Sequence, residues 1–415
     1  MLINPIKQSY IGWRVLIGAF IGASLGIGFS SALFGMFVIP VTHELGLTRS
    51  DYNTAYIVYM VANSVTAPII GIMLDRLSVR WLIFYSGLVF GAMQILISQT
   101  TEIWVMLAAM VPLAVASTIC GVVGANTIVV RWFEARRGRA LGLLAISTSF
   151  GGLMSQPLTA LLIDTVGWRQ GLFGIGTGVA IIIPSVAFLL LRDRPSGLEP
   201  GYAAEFSAQS AQDTPQTSHV DRLTISQLLR MRNFWIMAIA VSLLFGADTA
   251  VGISQVAFFQ DIGYPLSTVS LIVALKSGSS ILGKLIIGYL ADRVDLRWLY
   301  AFVALSSILL LSIYCSEPSL PVLIISVGLL GITVGGVYPI WSTMMAWLFG
   351  PSSFGTVMGM ISMIIPIFAI AAARYIGSVF DTQGTYIPGF MTFIGIILLS
   401  MLLIVFIKPP KNSEC

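Results

Sequence analysis

The sequence predicts an all-α integral membrane protein of twelve transmembrane helices, arranged as two pseudo-symmetric bundles of six. Three observations predict it. Hydrophobic residues make up 57% of the 415 and charged residues only 10%, against about 25% charged in a soluble domain, and mean hydropathy is +0.92. Apolar runs of roughly 18 residues or more, the length that crosses a bilayer, recur along the whole chain. One charged phrase is also written twice, as GIMLDRLSVRW at 71–81 and GYLADRVDLRW at 288–298, 217 residues apart.

In chain order, spans are expected near 15–38 (helix 1), 52–74 (helix 2), 81–99 (helix 3), 103–129 (helix 4), 138–163 (helix 5) and 170–191 (helix 6). Six more are expected near 233–258 (helix 7), 267–290 (helix 8), 298–315 (helix 9), 321–346 (helix 10), 355–379 (helix 11) and 387–407 (helix 12). Helix 1 is too long for a signal-peptide core and no small-residue cleavage site follows it, so it is expected to be retained. Between the sixes, residues 192–232 open with RDRPSGLEPGY and run through Ala, Gln, Ser and Thr, the composition of a linker. The end of that linker, LTISQLLRMRNFW, has a Thr cap signal and apolar spacing that predict a short surface helix. The expected division is therefore residues 1–191, a cytoplasmic linker over 192–232, and residues 233–415.

The repeat extends far beyond its opening phrase. Gly71, Asp75, Arg76, Arg80 and Trp81 become Gly288, Asp292, Arg293, Arg297 and Trp298 at an offset of 217. At the same offset Gly46 maps to Gly263, Gly138 and Gly142 to Gly355 and Gly359, Asp164 and Gly167 to Asp381 and Gly384, and Phe173 to Phe390. One ungapped register across both halves is the trace of a duplicated six-helix unit, whose halves rock about a site between them.

Charge sets the expected orientation. With the N-terminus inside, seventeen of the 22 Lys and Arg fall on the cytoplasmic side, and only Arg49 and Arg169 fall outside. Both termini are thus expected in the cytoplasm of a cell (plasma or inner) membrane protein. The net charge of +4 follows from this bias and does not point to nucleic acid. Cys120, Cys315 and Cys415 form no spaced set and His43 and His219 are far apart, so neither a disulfide framework nor a metal site is expected. No nucleophile–base pair or phosphate loop stands out either, so no enzyme and no cofactor are expected.

The phrase G-x-x-x-D-R-x-x-x-R after helix 2, with its echo after helix 8, resembles the signature of the major facilitator superfamily; Ser78 stands where that signature usually has Gly. The resemblance implies the major facilitator fold, transport by alternating access in a single chain, and a cytoplasmic latch built from Asp75, Arg76, Arg80, Arg136, Arg137, Asp292, Arg293 and Arg297. The other reading of these charges is topology alone. A narrower resemblance lies in RWFEARRGRALGLLAISTSFGG, where Phe133, Arg136, Arg137, Ala140, Gly142 and Gly151 keep the helix 4–5 spacing of the monocarboxylate porters, much of it shared with the oxalate–formate antiporter-like organic anion group. The start, GWRVLIGAFIGASLGIGFSSALFGMF, and the R-x-R-P-x-x-x-E-P-G stretch are similar to that group as well. The animal members' Lys in helix 1 is absent. Their helix 8 pattern of Asp, Arg and Gly at four-residue spacing reads here as Ser280, Lys284 and Gly288.

Four ionisable residues lie inside spans: Asp248 in helix 7, Lys276 and Lys284 in helix 8, and Arg374 in helix 11. Intramembrane charges cost about 2.5–3.5 kcal/mol each on insertion scales and face a cavity or a partner. Three cations against one anion favour an anionic substrate. Lys276, Ser280 and Lys284 form one stripe of helix 8 about 12 Å long. Asp248 and Lys276 lie about 17 and 14 Å from the outer ends of their helices, depths that allow an ion pair. Lys284 and Arg374 are read as substrate-binding, or else as snorkelling toward the surface. Lys276 is read as the partner of Asp248 or as a substrate ligand, and Asp248 as proton-coupling or structural. Asn63, Asn126 and Gln156 are expected to line the path, or to bond between helices.

The expected function is proton-coupled symport of a small monocarboxylate by alternating access, with substrate, proton and bilayer as the only partners. The alternatives are an organic anion exchanger without proton coupling and, less favoured, a proton-driven drug exporter. The exporter reading lacks an acid in helix 1 and the G-x-x-x-G-P-x-x-G-G run in helix 5. A transporter-like receptor would be expected to carry an accessory cytoplasmic domain.

Overall fold

The computed structural model describes residues 10–134, 136–196, 225–291, 293–349 and 354–407, and the elements among them are all helical. Helix 1 is Gly12–Gly28 continued by a tight 3₁₀ stretch, Ser31–Phe37, and by Val38–Leu45. Helices 2 and 3 are Arg49–Arg76 and Val79–Gln99, and helix 4 is Ile103–Cys120 with Val122–Trp132, broken at Gly121. Helices 5 and 6 form one run, Arg137–Leu190, that turns at Gly167. Its 54 residues would extend about 81 Å if straight, more than twice a hydrocarbon core of about 30 Å, so the run is two spans. A short helix, Ile225–Arg230, precedes helix 7, Arg232–Asp261. Helices 8 and 9 are Leu266–Ala291 and Leu296–Cys315; helix 10 is Leu320–Gly335 with Val337–Phe349; helices 11 and 12 are Phe354–Gln383 and Ile387–Val405.

Four glycines turn the chain between spans with positive φ: Gly46 at 63°, Gly167 at 82°, Gly263 at 102° and Gly384 at 69°. Only glycine takes that conformation without steric cost. They are also two pairs in the 217-residue register, so the same corner is made in the same way in each half.

Packing repeats with the sequence. In the first half helix 1 lies on helix 5, helix 2 on helix 4 and helix 3 on helix 6; in the second, helix 7 lies on helix 11, helix 8 on helix 10 and helix 9 on helix 12. Each half has its own buried aromatic core, with Phe90 and Trp132 in one and Tyr300, Tyr314 and Phe390 in the other. The halves meet along two seams, helix 2 against helix 11 and helix 5 against helix 8. Exposed apolar side chains such as Leu189 and Leu329 cover the perimeter, where a bilayer supplies the solvent. The linker expected over 192–232 lies mostly outside the described residues.

Candidate functional site

The helix 2–helix 11 seam is closed at the face where the charge bias expects the outside. Arg49, at the start of helix 2, forks onto the Asp261 carboxylate at the end of helix 7, with Nη1 and Nη2 donating at 2.6 and 2.7 Å. A two-bond fork of this kind is among the stronger charge-assisted contacts. Nη1 also donates to the Tyr386 hydroxyl at 2.7 Å, and the guanidinium lies 3.7 Å above the Phe380 ring. The Asp381 carboxylate accepts from the backbone N–H groups of Arg49 and Ser50, both at 3.0 Å, where the positive end of helix 2 favours an anion. One turn further in, Asn53 Nδ2 donates to the Ala373 carbonyl at 3.0 Å. Gly377 makes this approach possible: a Cβ there would lie 2.9 Å from Asn53 Nδ2 and 3.0 Å from Ser50 Cα.

The duplicated register explains this seal. Asp261 is the counterpart of Glu44, and Tyr386 of Arg169, each 217 residues on. In the first half Glu44 accepts from Arg169 Nε at 2.7 Å and from Trp168 Nε1, both of the same half. In the second half the position of the cation is a tyrosine, and Arg49 from the other half supplies the charge. An intra-half clamp has become an inter-half lock. Sequence reasoning recorded Arg49 as an outer charge and Asp381 as a repeat position; comparing the charges of the two copies pair by pair is the signal that would have joined them to Asp261.

Arg374, expected to bind substrate, stands in this same seam, exposed, with Nη1 donating to the Ser50 carbonyl at 3.3 Å and Thr54 Oγ1 at 3.1 Å. Lys284 stands in the other. Its Nζ crosses from helix 8 to helix 5 and donates to the Ala145 carbonyl at 2.9 Å and to the Thr148 hydroxyl. Ser280 joins the same helix pair through a 2.7 Å contact with Ser149. The structure thus places the two cations in different seams, each bonded to neutral acceptors of the first half.

The Asp248–Lys276 ion pair allowed by depth does not form. Lys276 Nζ lies 3.3 Å from Gln255 Oε1. Helical side chains tilt toward their own N-terminus, and helices 7 and 8 run in opposite directions, so Asp248 and Lys276 point away from each other. Helix 7 also continues to Asp261, which sets Asp248 about 20 Å from its outer end and Lys276 about 15 Å from its own. Both still border a gap of about 20 Å³ inside the second half.

Between the halves lies a cavity of about 360 Å³. Helices 1, 2 and 4 give it a polar wall, including Ser31, Tyr56, Asn63 and Thr118, while Phe245, Ile365 and Pro366 face it from the second half. Asn63 therefore lines the path as expected. Asp248 is within electrostatic reach of Tyr56 on that wall. Gln156 is buried, and its Oε1 has no partner among the described residues; Asn126 is half-buried on helix 4.

Of the residues assigned to a latch, Asp75 and Arg76 are exposed at the end of helix 2. The described contacts of the next three stay in their own half. Arg80 donates to the Phe188 carbonyl at 2.7 Å, Arg293 lies 4.2 Å from the Tyr289 ring, and Arg297 pairs with Asp295 at 2.7 Å. Arg136 is exposed; Asp292 and the Arg137 side chain lie outside the described residues.

The family profile described as Major Facilitator Superfamily matches residues 18–260 and 243–415. Among curated proteins, Monocarboxylate transporter 12 of Rattus norvegicus is 21% identical over 97% of this chain and 86% of its own. Monocarboxylate transporter 4 of Mus musculus is 24% identical over 69% and 58%, and a putative metabolite transport protein of Haemophilus influenzae is 21% identical over 82% of each. Among solved structures, a bacterial homologue of the human lysosomal transporter Spinster aligns over 94% of this chain and 95% of its own with a TM-score of 0.71 at 13% identity. The nucleoside transporter NupG aligns over 96% and 100% with a TM-score of 0.70 at 14% identity.

Proposed function

The chain belongs to the major facilitator superfamily, and on that premise we propose that it carries a small monocarboxylate together with a proton through the cavity between its halves. It is a multi-pass membrane transporter of a small molecule; the choice of an anion and of proton coupling is the proposal. The observation that carries it is Lys284, a cation in the seam between halves whose partners are a carbonyl and a hydroxyl. A carboxylate is a stronger acceptor for an ammonium than either neutral group. An entering anion therefore draws Lys284 away from helix 5 and loosens that seam. Arg374 is bonded in the same manner on the other seam, so the substrate reads both. The apolar remainder of the substrate packs on Phe245 and Ile365.

Asp248 supplies the proton site. It forms no hydrogen bond or ion pair among the described residues, so no fixed partner holds it ionised, and it lies near the cavity wall. Protonated, it offsets the negative charge of the substrate, and the loaded carrier crosses with little net charge.

Uptake of labelled monocarboxylates into proteoliposomes, with and without an inward proton gradient, tests this reading in wild type, Asp248→Asn and Lys284→Ala. The expected result is gradient-stimulated uptake that Asp248→Asn abolishes while counterflow survives, and that Lys284→Ala lowers about tenfold or more. Uptake indifferent to the gradient but dependent on an anion loaded inside would make the protein an exchanger and Asp248 a structural residue.

A further inference from the structure

A second cavity, about 60 Å³, lies inside the first half among helices 1, 2, 3, 4 and 6. Its walls are largely apolar, including Phe34, Ile97, Leu113 and Trp168. It is not separate from the central cavity: Ser30, Ser31, Tyr56 and Tyr59 line both. It is a side pocket of the transport path.

One polar group in this pocket is unaccounted for. Gln94 is 3% exposed and lines it. Its Nε2 donates to the Phe29 carbonyl at 2.5 Å, which fixes the amide orientation. Oε1 has no hydrogen-bond partner among the described residues. The nearby hydroxyls are committed elsewhere: Tyr59 contacts Ser117 Oγ at 2.8 Å and Ser30 Oγ at 3.3 Å, and Ser30 donates to the Gly26 carbonyl at 2.6 Å. A buried acceptor left without a donor is costly, and a site built around one discriminates strongly for a ligand that brings the donor.

Resting on the anion-transport reading above, we propose that this pocket receives the distal end of the substrate, and that Gln94 Oε1 accepts a hydrogen bond from a hydroxyl there. The transported anion is then a short hydroxycarboxylate, with its carboxylate in the central cavity and its hydroxylated tail in the side pocket. Size sets the upper limit. A water needs about 10–15 Å³ of such space and benzene occupies a cavity of about 150 Å³, so 60 Å³ admits a few heavy atoms and not an aromatic ring.

Thermal-shift titration of the purified protein tests this without requiring transport, using γ-hydroxybutyrate, butyrate and γ-methoxybutyrate as probes. The ether keeps the oxygen but cannot donate. The expected result is that γ-hydroxybutyrate binds at least about tenfold more tightly than the other two. Gln94→Leu removes that preference by deleting the acceptor, and Leu113→Phe removes it by filling the pocket. Equal affinity of the three probes in wild type overturns the proposal, because a water then serves Gln94 as well as a substrate does. The uncharged pair γ-hydroxybutyramide and butyramide separates the two readings. If no carboxylate binds but the hydroxylated amide is preferred through Gln94, the pocket stands and the anion reading falls. If no hydroxylated probe is preferred, the pocket proposal falls.

Discussion

Asp295 shows how much a single side chain settles when its partners are local. It caps helix 9 by accepting from Arg297 N at 2.9 Å, and the same guanidinium holds its carboxyl below the ordinary carboxylate range. A depressed folded-state pKa means that the stabilisation is complete above the ordinary value and is lost as pH falls through the folded one. Removing such a cap costs about 1 kcal/mol. Asp295→Ala is therefore expected to lower the unfolding midpoint near neutral pH, with wild type and variant drawing together as the solution is acidified. The intramembrane residues are harder to read from sequence. Their identities and depths are visible there; their partners are not. Lys276 and Asp248 have matching depth, yet the opposite tilt of side chains on antiparallel helices sends one to Gln255 and the other toward the cytoplasmic end of its helix. Lys284 and Arg374 each bond to a backbone carbonyl of the other half, an acceptor that every residue carries and that no sequence pattern marks.

Elements were legible where the cause is local. Span lengths follow from apolar runs, and the corners at Gly46, Gly167, Gly263 and Gly384 follow from glycine's tolerance of positive φ. An alanine at Gly384 would have to adopt φ near 69°, at about 1–2 kcal/mol; Gly384→Ala is expected to lower the unfolding midpoint by a few degrees in a thermal melt. The breaks of helices 4 and 10, and the continuation of helix 1 to Leu45, were not legible, because they arise where neighbouring helices press on the backbone. Gly335 is one such place: a Cβ there would lie 2.3 Å from the Ser280 carbonyl of helix 8. Gly377 has the same role between helices 2 and 11. Gly377→Val adds bulk against Asn53 and Ser50 and is expected to hold the seam apart. Faster labelling of a cysteine introduced at Thr54 would report it, and an unchanged rate would show that the seam closes around the added side chain.

At the scale of the molecule, duplication gave the fold and its imperfection gave the seal. Both halves use the same helix pairings and corners, which is why the architecture could be read from an offset of 217 residues. The seal is legible only as a difference between copies, with Tyr386 standing where the first half has Arg169. Arg49→Ala removes the fork to Asp261 and is expected to favour the state open at that face. Distance measurements by pulsed electron paramagnetic resonance, with spin labels at the ends of helices 1 and 7, would show a longer population than wild type. Lengthening in Arg169→Ala of equal size would mean that the intra-half clamp matters just as much.

That asymmetry also bears on how the chain is made. The first half leaves the ribosome with Glu44 already provided with Trp168 and Arg169, so its charged corner is complete before helix 7 exists. The second half emerges with Asp261 dependent on an arginine synthesised some two hundred residues earlier. Expressed as two separate polypeptides, the first is expected to accumulate alone, while the second persists only beside the first. Pulse–chase decay of each fragment, with and without the other, would measure this dependence.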